Sequence, residues 1–114
     1  MPRPRFQRGT NLILVDDWAF LTKTAAYTLL EGDEFILADA TAGDFTVTLM
    51  SPADLVGQVV AVKLISAANN VTVATPAAET IDGGATWVST AQWHSAAFVT
   101  DGTNYYVLSE VGGA

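Results

Sequence analysis

The chain contains no cysteine, so disulfides and thiolate chemistry are closed to it. Its one histidine, His94, leaves too few nitrogen and sulfur ligands for a structural zinc, which takes about four. Charge is scarce, at 15% of the 114 residues where about 25% is usual. Basic residues are scarcer still. Arg3, Arg5 and Arg8 fall in the first eight positions. From residue 9 onward only Lys23 and Lys63 stand against twelve acids, a net of −10. A body this acidic repels phosphate, which argues against nucleic acid as a partner. Apolar runs are about five residues at most, against the roughly 20 that a membrane-spanning helix needs. The opening Met1-Pro2-Arg3-Pro4-Arg5 leads into Phe6-Gln7-Arg8-Gly9 and not into the apolar core of a signal peptide. The expectation is a protein made in a cytoplasm. No Gly-x-Ser-x-Gly elbow frames a serine nucleophile.

What is abundant is apolar: half of all residues. A small domain has too much surface to hide so many such side chains, and the excess reads as subunit interface. From Phe35 to Leu108 the chain is a succession of short runs rich in Val, Ile, Thr, Phe and Tyr, each bounded by Gly, Asp, Asn or Pro. Phe45, Val47 and Leu49 alternate with Thr46 and Thr48, the period of a half-buried strand. Gln58 to Ile65 is apolar on both faces apart from Lys63 and should be central. Asp82-Gly83-Gly84 and Asp101-Gly102-Thr103-Asn104 carry hairpin or tight-turn chemistry. Ser51-Pro52 through Gly57 predicts one short helical turn, with Ser51 as N-cap. Strands spaced at roughly 8 to 12 residues predict an all-β chain. The expected form is a single antiparallel β-sandwich or jelly-roll-like barrel over residues 25–114. Residues 1–24 are expected to be an extended N-terminal arm with linking strands. No internal repeat is visible.

The candidate binding residues form two groups. The arm combines Arg3, Arg5, Phe6 and Arg8 with the apolar Leu12, Ile13, Leu14, Trp18 and Phe20. Pro2 and Pro4 favour an extended path for it, suited to lying across an acidic neighbour. Late in the chain, Trp87, Trp93, Tyr105 and Tyr106 are candidates for core, for subunit contact or for glycan stacking. Tyr105 and Tyr106 must point to opposite sides of a strand, so one can be core and the other exposed. The carboxylates of Asp16-Asp17 and Glu31-Gly32-Asp33-Glu34 are oxygen donors of the kind calcium takes, but neither matches a known calcium loop. Asp82 and Asp101 read as turn acids that accept backbone hydrogen bonds. No catalytic residue, cofactor or metal site is expected.

The ordered set Asp39-Ala40-Thr41-Ala42-Gly43, Thr46-Val47-Thr48-Leu49, Gly57-Gln58-Val59-Val60-Ala61-Val62-Lys63, Asn70-Val71-Thr72-Val73, Glu79-Thr80-Ile81-Asp82-Gly83-Gly84 and Asp101-Gly102-Thr103-Asn104-Tyr105-Tyr106-Val107 resembles a small β domain of tailed-bacteriophage virion proteins. The resemblance runs from Tyr27 to Ser109. Met50-Ser51-Pro52 replaces the usual Leu-Pro, and Tyr105 stands where Trp is common. It implies a non-enzymatic structural module, commonly trimeric, found in tail fibres, tail tips and head-decorating proteins. An acidic domain with a basic arm suits a trimeric capsid decoration, or cement, protein on the capsid surface, with the major capsid protein as partner. The alternative it implies is a tail-fibre or tail-tip adhesion module contacting host-surface glycans.

Overall fold

The computed structural model describes residues 19–30, 32–54 and 56–112. Among the described residues, nine strands form two facing sheets: β1 (Ala19–Lys23), β2 (Tyr27–Thr28), β3 (Asp33–Ala38), β4 (Phe45–Thr48), β5 (Val59–Leu64), β6 (Val71–Ala74), β7 (Thr86–Ser89), β8 (Ser95–Thr100) and β9 (Tyr105–Val111). One sheet has the order β1-β3-β5-β8-β9, the other β2-β4-β6-β7. The chain is therefore all-β and sandwich-like, as expected, and β5 is central. The helical turn at Ser51-Pro52 is a single 3₁₀ turn, Pro52–Asp54.

Pairing departs from the antiparallel expectation. The sheets are mixed: β1, β3 and β5 run parallel, as do β2, β4 and β6. Only β5–β8, β8–β9 and β6–β7 are antiparallel. The cause is the path of the chain. Through β6 it changes sheet after every strand, so each return to a sheet runs in the same direction as the last. Parallel neighbours need a crossover, and here the crossover is a strand of the opposite sheet.

The stacked corners are tied by side chains. Ala40 N–H donates to Ser66 Oγ at 2.9 Å, and Asn69 Nδ2 donates to the Ala40 carbonyl at 2.7 Å. Asn70 N–H donates to Asp44 Oδ1 at 2.7 Å. These bonds hold the β3–β4 corner on the β5–β6 corner, where backbone groups would otherwise lack sheet partners. Between the sheets, Ile36, Val60, Val62, Val47, Val73 and Phe98 are buried. Trp87 meets Phe98 edge-on, with centroids 5.8 Å apart at 79°, a favoured aromatic geometry. β1 pairs along β3, so residues 19–23 belong to the five-stranded sheet.

Candidate functional site

The two outer faces differ in chemistry. On the four-stranded sheet, the outward positions of β4 and β6 are Thr46, Thr48, Thr72 and Ala74, with Thr28 beside Thr48 and Thr86 beside Ala74. Hydroxyls dominate that face, and it is at ease in water. The outer face of the five-stranded sheet is apolar. Register fixes three rows across it. One row is Val59, Val99 and Tyr106. The next is Phe35, Ala61, Ala97 and Ser109. The third is Leu37, Lys63, Ser95 and Val111. No carboxylate stands in these rows, although the chain carries twelve Asp and Glu. Val59, Tyr106 and Val111 are 44%, 42% and 61% exposed, and Leu108, at the β8–β9 bulge, is also exposed.

The four late aromatics divide between core and surface. Trp87 is buried, and its indole Nε1 donates to Glu110 Oε1 at 2.8 Å. Tyr105 is buried, and its hydroxyl donates to the Met50 carbonyl at 2.8 Å. Tyr106 and Trp93 are exposed and belong to the apolar face. The Tyr106 hydroxyl donates to Asp101 Oδ2 at 3.1 Å. That bond, and the nearby negative charge, raise the Tyr106 pKa. Trp93 is 54% exposed, and the Lys63 ammonium lies 5.8 Å from its ring centroid. Its backbone has φ of +74°, a region that bulky side chains rarely occupy.

Of the arm, Arg3, Arg5, Phe6, Arg8, Leu12, Ile13, Leu14 and Trp18 lie outside the described residues. The Phe20 backbone pairs with Phe35 in β1. The turn acids act as backbone acceptors. Asp101 Oδ1 takes the N–H groups of Thr103 and Asn104 at 2.9 and 3.1 Å, and those bonds hold its carboxyl below the usual carboxylate range. Asp82 Oδ1 takes Val107 N–H at 3.0 Å. Asp33 Oδ2 takes the Tyr27 hydroxyl at 2.6 Å and Leu30 N–H at 2.8 Å. Among the described residues, no group of three or more His, Cys, Asp or Glu is placed to hold a metal ion. His94 packs against Gly112, where an added Cβ would sit 2.2 Å from the ring.

The surface role of Trp93 was beyond sequence reasoning to separate from that of Trp87. Trp87 lies within β7 and Trp93 just before β8, where Trp93 N–H donates to the Leu64 carbonyl (2.7 Å) and Leu64 N–H to the His94 carbonyl (2.9 Å). No protein-family model and no curated protein matches this chain.

Proposed function

We propose that this is a non-enzymatic structural protein that works through surfaces: a homotrimeric decoration protein on the head of a tailed bacteriophage, clamping neighbouring major capsid subunits. The observation that carries the reading is the largely apolar outer face of the five-stranded sheet, whose three rows hold no carboxylate, on an otherwise acidic chain. Contiguous exposed apolar surface on a small domain is characteristic of an interaction site. The ordered turn-and-strand resemblance supplies the virion setting. In this reading the β body makes the subunit contacts and the basic, apolar arm makes the capsid contacts. Three arms on one trimer bind together, so modest individual contacts multiply.

Two measurements test it. The mass of the purified chain by light scattering should be three times 12.0 kDa. A chain lacking residues 1–11 should remain a trimer, at three times its own reduced mass, and lose binding to undecorated particles. A truncated chain that still decorates particles would remove the arm from the account, and a monomeric full chain would remove the trimer.

The exposed Trp93 and Tyr106 are the observation that favours a second reading, an adhesion module at the tail. A glycan array separates the two, because a decoration protein should bind no glycan.

A further inference from the structure

Trp93 is expensive where it stands. Its backbone occupies the left-handed region at φ +74°, which costs an L-residue roughly 1–2 kcal/mol. Six glycines of the chain take up positive φ in the described residues, yet this position keeps the largest side chain there is. The core gains little from it, since the indole is 54% exposed. Its ring stands over Lys63 on the outer face of the five-stranded sheet. The row next to Lys63 and Ser95 holds Ala61 and Ala97, paired directly across β5 and β8. Small side chains therefore occupy the outward positions midway along these two strands.

We infer that Trp93 is the anchor by which a second copy of this chain docks on the outer face of the five-stranded sheet. The inference rests on the oligomeric reading above and names the residue that carries the contact. Charge selects the occupant. The chain is acidic and repels its own copies, but these three rows hold no carboxylate and a single cation, Lys63. The acidic surface of a neighbouring copy can approach these rows without meeting a carboxylate in them. The only cation in the rows is already engaged by the indole.

Area selects the anchor. Four strands by five residues span roughly 19 by 17 Å at standard strand spacing and rise. That is far less than the about 800 Å² of accessible surface per partner in a standard interface. So small a patch depends on one large, well-placed side chain, and tryptophan is the residue most often found in that role.

Sedimentation velocity over a concentration series tests the inference with the full-length chain. Trp93→Gly should weaken self-association at least tenfold while its melting temperature, measured where wild type is monomeric, stays equal or rises. Glycine relieves the φ strain and keeps the Trp93 N–H bond to the Leu64 carbonyl. Ala97→Arg, which puts a long cation at an outward position of β8 without entering the core, should do the same to association. If wild type associates and Trp93→Gly associates equally well, the anchor is refuted while the oligomer stands. If wild type is monomeric at every concentration, the oligomeric reading itself falls. Glycan binding that is lost in Trp93→Gly would assign the indole to a sugar instead and overturn the inference.

Discussion

At the scale of single residues, Tyr27 gives the clearest pH signature. Burial, the hydrogen bond to Asp33 and the charge of that carboxylate push its pKa up to about 12 from 10.0. The Lys23 ammonium sits 4.0 Å from its ring centroid. Protonated Tyr27 is favoured by the fold, so its contribution is complete below pH 10 and is lost as pH rises from 10 towards 12. A spectrophotometric titration should show one tyrosinate forming only near pH 12, absent in Tyr27→Phe. That substitution should cost about 1 kcal/mol in denaturant unfolding at pH 7 and flatten the alkaline loss of stability. Asp101 has the opposite sign. Its carboxyl is held below the ordinary 3.8, so its contribution is present above that value and is lost as acid titrates the folded state. Asp101→Asn should therefore reduce the acid sensitivity of the β8–β9 turn, read from amide exchange at Thr103 and Asn104.

At the scale of elements, β9 is held at both ends by unlike devices. Near its start, Tyr105 N–H donates to the Thr80 carbonyl and Val107 N–H to Asp82 Oδ1. Near its end, Gly112 at φ +65° lies against the His94 ring. Gly112→Ala sets a methyl group into that ring and strains the backbone as well. The expected result is a loss of roughly 1–3 kcal/mol, with fast amide exchange at the end of β9 and an unchanged hairpin at Asp101–Asn104. Most elements were legible in the sequence because their signals are local. The alternation of Phe45, Val47 and Leu49 with threonine gave β4 its faces, and Asp82-Gly83 makes the tight turn between Ile81 and Gly84, with φ of +51° and +84°. Edge pieces were harder. Tyr27–Thr28 is a strand of two residues, too short to carry a period, and Ala19–Lys23 is a strand because β3 pairs with it.

At the scale of the molecule, the sequence hid the parallel winding, and the reason is spacing. The Phe20 backbone pairs with Phe35 after 15 residues, and Phe35 with Ala61 after 26. Unequal coils leave no repeat to detect, and turn chemistry does not say which strands become neighbours. The candidate surface was only half legible for the same reason. Composition announced an apolar excess, but its collection on one face depends on β3, β5, β8 and β9 lying side by side, two of them antiparallel returns. The threonine face is the more polar of the two, and in the proposed reading self-association uses the outer face of the five-stranded sheet. An arginine placed on the threonine face, at Thr48 or Thr72, should leave self-association unchanged in sedimentation velocity.

The most direct test of the whole account is the location and copy number of the chain on purified virions, by antibody labelling and quantitative densitometry. The account predicts many copies spread over the head, in proportion to the major capsid protein. A few copies confined to the tail, or none on the particle, would contradict it.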